Sequence, residues 1–108
     1  MIKSDMELLE LAAKAYDIEL DRWNGAYACY ETNIGLWNPL LDDGDALRLA
    51  VHLDLLLMPY PDDGAVRVTK LYQPDTIVSY GIPPDKNSST RRAIVRAAAE
   101  IGKNMKND

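Results

Sequence analysis

The short apolar runs of this chain follow one another with only turn residues between them. Asn24-Gly25 separates one pair, and Pro61-Asp62-Asp63-Gly64 separates a second. Strands joined by so few residues must lie antiparallel, because a parallel connection needs a crossover of a dozen residues or more. The chain is therefore held to hairpins, and its helices are left to the two ends and the middle.

The first helix begins at Ser4. In "SDME" the Ser4 hydroxyl can accept from the Glu7 amide while the Glu7 carboxylate reaches back to the Ser4 amide, a capping box. Leu8, Leu11, Ala12 and Ala15 then share a face opposite Glu7, Glu10 and Lys14, which predicts an amphipathic helix to about Tyr16. Ile18 and Leu20 alternate with Glu19 and Asp21, and Asn24-Gly25 predicts a type I′ turn into a return strand through Tyr27 and Cys29. "TNIGLW" supplies a short strand or a loop. No helix crosses Asn38-Pro39, since the residue before a proline avoids the helical region.

After Pro39 the period becomes helical. Asp42 or Asp43 can cap this second helix, and Asp45 falls in its first turn, where the helix dipole favours negative charge. Ala46, Leu47, Ala50 and Leu53 are expected to face inward, with Asp45, Arg48 and His52 on the outer face. Leu55 to Met58, Val66 with Val68, and residues 76–80 read as three further strands. "IPPDKNSS" reads as a loop, and Ser88 or Ser89 as the start of a last helix with an apolar stripe of Ile94, Ala98, Ile101 and Met105. The expected fold is α+β over one domain, residues 1–108. It has an antiparallel sheet of about four to five strands, packed with three helices in the order α-β-β-α-β-β-β-α, and "TNIGLW" is an optional extra strand.

Cys29 is the single cysteine, so no intrachain disulfide forms; in "AYACY" it reads as a small buried hydrophobe. The N-terminus lacks the long uncharged core of a signal peptide, and no run approaches the roughly 18 apolar residues of a membrane span. A cytoplasmic protein with no membrane association is expected. The net charge of −5 disfavours general nucleic-acid binding. It is unevenly spread, with −9 over residues 1–63 and +4 over residues 64–108, a layout that suits solubility, a charged partner or self-association as a homodimer.

No catalytic constellation is legible. There is no Gly-rich phosphate loop, no nucleophile elbow, and His52 has no neighbouring ligand for zinc. "DDGD" departs from a calcium loop, whose acids stand at alternate positions, so helix capping explains it better than a metal. No catalytic residue, cofactor or metal is expected. Tyr60, Asp62, Asp63 and Tyr72, set beside turns, are the candidate partner-binding residues. Arg92, Arg96 and Lys103 share one face of the last helix and are the candidate nucleic-acid-binding residues, with a solvated helix face as the competing reading. Trp37 is expected in the core, while Trp23, Tyr27 and Tyr30 suit either core or interface.

Three segments carry a resemblance: "ELLELAAKAYDIEL" (7–20), "WNPLLDDGDALRLAVHL" (37–53) and "TRRAIVRAAAEIGKNM" (90–105). In order and spacing they resemble small phage and prophage accessory proteins with an N-terminal helix, a W-N-P-L-x-D-D-G-D-A-L segment and a closing R-A-I-V-x-A-A helix; NinX-type phage proteins are a more distant likeness. The resemblance covers about half the chain and leaves residues 55–87 unmatched. It implies a phage- or prophage-encoded protein of the bacterial host cytoplasm, and it implies no catalytic residues. The expected function is non-enzymatic binding and modulation of a host protein, one of a defence system included, or of a phage protein. The alternatives are nucleic-acid binding by the last helix and a small-ligand pocket.

Overall fold

The computed structural model describes residues 4–58, 66–70, 73–81 and 85–105. Helix α1 spans Asp5–Tyr16. The Ser4 hydroxyl accepts from the Glu7 amide at 3.2 Å and donates to the Glu7 carboxylate, also at 3.2 Å. At the other end Asp17 takes the left-handed conformation (φ 60°), and the amides of Asp17 and Ile18 donate to Lys14 and Ala13, a Schellman stop with aspartate where glycine is usual.

Strands β1 (Leu20–Asn24), β2 (Cys29–Thr32) and β3 (Gly35–Trp37) form one antiparallel sheet in that order. The first hairpin is where the spacing places it, but its turn is different. Asn24 pairs with Cys29, leaving residues 25–28 as the loop. The Asn24 side-chain oxygen accepts from the amides of Ala26 (3.0 Å) and Tyr27 (3.3 Å), and the positive φ falls on Ala28 (52°). By taking two backbone amides itself, the Asn24 side chain replaces the type I′ geometry with a wider Asx turn. The tight connection lies one hairpin later, where Thr32 pairs with Gly35 across residues 33–34 and Gly35 carries φ 111°.

Helix α2 spans Asp43–His52 and turns through Leu53 and Asp54 directly into β4 (Leu55–Met58). Strands β4, β5 (Val66–Lys70) and β6 (Gln73–Gly81) form a second antiparallel sheet in that order. The mixed α+β class and the three helices agree with expectation. Among the described residues, however, the strands form two three-stranded sheets, and a single sheet of four to five is not seen. The division falls at α2, which occupies the chain between β3 and β4.

Helix α3 spans Lys86–Lys103, so it starts at Asp85 and not at Ser88 or Ser89. Asp85 holds an extended backbone and its carbonyl already accepts from the Ser89 amide at 2.9 Å. Ser89 is thus buried inside the first turns, and the helix begins as soon as the Pro83-Pro84 pair in the sequence is passed. Met105 lies beyond the helix end and is exposed, so the apolar stripe stops at Ile101.

α1 and α3 pack side by side on small residues: Ala12, Ala13 and Ala15 on one, Ala93, Ala97, Ala98 and Ala99 on the other, all buried. Gly102 sets their closest approach, because a Cβ there would overlap the Leu11 carbonyl. Val66 and Val68 of β5 complete the core from the second sheet. From the first sheet come Tyr30 and Trp37, and in register Trp23, Tyr30 and Trp37 stand opposite one another across its three strands. Trp23 meets Tyr30 edge-on (centroids 5.1 Å) and Trp37 stacks with Tyr16 of α1 (6.2 Å). This row resolves the aromatic residues: Trp37 and Tyr30 are core, Trp23 is partly exposed at its outer end, and Tyr27 stands out in the loop. Cys29 is buried, as expected. No helix among the described residues is long and apolar enough to cross a membrane.

Candidate functional site

The Asn-Pro corner between β3 and α2 is held by an unusually complete set of bonds. The Asn38 side-chain oxygen accepts from the Leu40 amide (2.9 Å), an Asx turn around Pro39, while its side-chain nitrogen donates to the Ala28 carbonyl (2.7 Å). The Asn38 carbonyl accepts from the amides of Leu41 and Asp42. Its own amide donates to the Asp45 carboxylate at 2.9 Å. One buried residue thus joins the first hairpin loop, the corner and the second helix.

Each aspartate after the corner has a separate task. Asp42 caps α2 by accepting from the Asp45 amide at 2.8 Å. Asp43 accepts from Arg91 of α3 at 2.6 Å, and Arg91 also donates to the Leu40 carbonyl at 2.8 Å. Asp45 accepts from Asn38 through one oxygen and from Arg48 through the other, at 2.7 Å. That bond raises the Arg48 pKa above its ordinary value, against the opposing effect of desolvation and with the charges of Asp45 and Asp42 adding to it. The helical period expects Asp45 on the outer face, yet it is buried, because the corner folds back and brings the Asn38 amide onto it. Leu47, expected inside, is exposed, and Leu49 takes the buried position. Ala46, Ala50 and Leu53 are buried as expected. His52 lies at the surface, edge-on to Tyr16 at 5.0 Å. No group of three or more potential metal ligands occurs among the described residues.

Beside this corner lies a groove of about 430 Å³. Asn38, Asp42, Asp45 and Arg48 form its polar side, and Cys29 and Trp37 lie at its base. Its rim is apolar and in solvent: Tyr27 is 70% exposed, Leu36 52% and Leu41 62%. The indole N–H of Trp37 is buried without a hydrogen-bond partner among the described residues. The groove thus offers a shape, a desolvating rim and a fixed cation and carboxylate, the mixture found where proteins hold an apolar group and orient it by a few polar contacts.

The candidate residues drawn from the sequence fare differently. Tyr60, Asp62, Asp63 and Tyr72 lie outside the described residues. Arg92, Arg96 and Lys103 do sit on α3, but Arg92 reaches across to Asp5 of α1, with nitrogen–oxygen distances of 3.0 and 3.2 Å. That hydrogen bond, supported by the charges of Arg92 and Arg96, holds the Asp5 carboxyl below its usual range despite partial desolvation. The first member of the basic stripe therefore ties two helices together. Sequence reasoning passed over Leu36 and Leu41. The signal for Leu36 was parity: in a strand, the neighbour of an inward Trp37 points outward. No protein-family model, curated protein or solved structure matches this chain.

Proposed function

We propose that this chain is a phage- or prophage-encoded accessory protein that binds and modulates a host or phage protein without catalysis, and that the groove beside the Asn-Pro corner is its contact surface. The observation that carries the reading is the exposed apolar rim of Tyr27, Leu36 and Leu41 around a groove with a fixed polar wall. Exposed apolar groups gathered about a concavity and rimmed by polar residues mark interaction sites far more often than isolated ones do. The phage context comes from the resemblance of the W-N-P-L-x-D-D-G-D-A-L segment, the same segment that builds the groove's polar wall.

The groove itself also favours a second reading, a small apolar ligand with a polar handle, since about 430 Å³ falls within the size of ligand pockets. Nucleic-acid binding through α3 gains no comparable support, because Arg92 is engaged with Asp5.

The test is affinity capture from an infected bacterial host after nuclease treatment, comparing the native chain with the Leu36→Glu, Leu41→Glu double variant. A stoichiometric protein held by the native chain and lost by the variant is expected. Equal recovery by both would refute the groove as the contact surface. A small molecule released on denaturing the native chain, with no protein recovered, would establish the second reading instead.

A further inference from the structure

We infer that the groove receives a basic segment of its protein partner: a lysine or arginine side chain lies along the apolar rim and sets its charge at Asp42. The inference rests on the groove being the contact surface and adds what that surface selects. Every residue lining the groove falls between 27 and 48, and all of them are described.

The sign of the partner's charge follows from what is already paired. Residues 27–48 hold four acids and one base. Glu31, which stands opposite Leu36 of the rim, meets Arg22 at 3.1 Å, and Asp43 meets Arg91 at 2.6 Å. Those two acids are neutralised in place. The wall keeps Asp42, Asp45 and Arg48. The Asp45 side chain is only 12% exposed, and its two oxygens accept from Asn38 and Arg48. Arg48 lies 2.7 Å from Asp45 and 3.9 Å from Asp42, so one cation faces two carboxylates. The wall is left with a net negative charge, and Asp42 is where it can be reached. Its side chain is 61% exposed; one oxygen accepts from the Asp45 amide, and the other makes no hydrogen bond among the described residues.

The rim fits the rest of such a side chain. Lysine and arginine lay apolar stems along apolar surface and keep the charged head at its edge. Leu36 and Leu41 offer that surface, and the exposed ring of Tyr27 adds a face that attracts a cation. An acidic side chain would meet the same rim but be repelled at Asp42. The wider field has the same sign, −9 over residues 1–63, which speeds encounter with a basic partner at low salt.

Three capped synthetic peptides, identical but for Leu-Arg-Leu, Leu-Gln-Leu or Leu-Glu-Leu at the centre, test the inference by titration into the nitrogen-15-labelled full chain. The arginine peptide is expected to bind most tightly, to move the amide signals of residues 27, 36, 41 and 42, and to weaken as salt is added. Asp42→Asn keeps a helix cap and should weaken it by about two- to fivefold, the modest effect proper to an exposed carboxylate. Should that variant disturb α2, Arg48→Gln carries the same test in the opposite direction, since it removes the competing cation and should tighten binding. Equal binding of the three peptides at the groove would overturn the charge selection while leaving the contact surface in place. Tighter binding of the glutamate peptide would also overturn it, as would binding of the arginine peptide away from the groove or no binding at all. The contact surface itself stands or falls separately, on capture by the Leu36→Glu, Leu41→Glu variant.

Discussion

Replacing Asp45 with alanine should destabilise the chain far more than the same change at its two neighbours. The Asp45 carboxylate is buried and accepts from the Asn38 amide at 2.9 Å and from Arg48 at 2.7 Å. Hydrogen bonds to a charged group contribute roughly 1.5–3 kcal/mol, and a buried amide left unpaired costs about 1–3 kcal/mol. The Arg48 contact adds little of this, since that side chain stands 61% exposed. The loss is therefore about 2–4 kcal/mol, dominated by the Asn38 amide. Asp42→Ala removes a helix cap and should cost about 1 kcal/mol. Asp43→Ala removes an ion pair to Arg91 whose carboxylate is 68% exposed and should cost under about 1 kcal/mol. Urea unfolding followed by circular dichroism measures all three on one scale, with the slope of each transition checked for constancy. Asp45→Asn keeps an acceptor for the Asn38 amide and should recover a substantial part of the loss. Equal, small effects at all three positions would refute the argument that Asp45 holds the corner.

Gly102→Ala places a methyl group on the Leu11 carbonyl, so α1 and α3 must separate; a loss above about 1–3 kcal/mol, seen as a lowered thermal midpoint, is expected. Asp5 has a lowered pKa in the fold, so its stabilisation is present above the unfolded carboxylate value and disappears as pH falls through the folded one. Because the pair is exposed the effect stays below about 1 kcal/mol, and Arg92→Met should flatten that part of an acid-unfolding profile. Tyr30 shows the opposite sign: burial first, and Glu10 second, raise its pKa above 10.0. Its stabilisation is therefore complete below the unfolded tyrosine value and lost as pH rises through the folded one; Tyr30→Phe should soften alkaline unfolding, followed by tryptophan fluorescence.

What the sequence disclosed depended on whether a residue's environment was local. α1 was legible from Ser4 to Tyr16 because its cap and its face lie within a few positions of each other. The first hairpin was legible in place, but its turn type was not, because the Asn24 side chain competed for the amides of Ala26 and Tyr27. Antiparallel pairing could be read from short connections, whereas the division into two sheets could not. Alternation says which residues share a face and nothing about which hairpins adjoin. The acidic cluster was legible as a helix start through Asp42. The burial of Asp45 was not, since its partner amide at Asn38 reaches it only when the corner closes. The groove depends on the same closure, which sets residues 27–29 beside α2, and no local pattern marks it.

Hydrogen exchange of the chain with and without its captured protein partner tests the groove most directly. The account predicts slowed exchange at residues 26–28 and 36–41 and at the start of α2, with α3 unaffected. Protection confined to α3 around Arg92, Arg96 and Lys103, with the groove exchanging as freely as in the isolated chain, would contradict it.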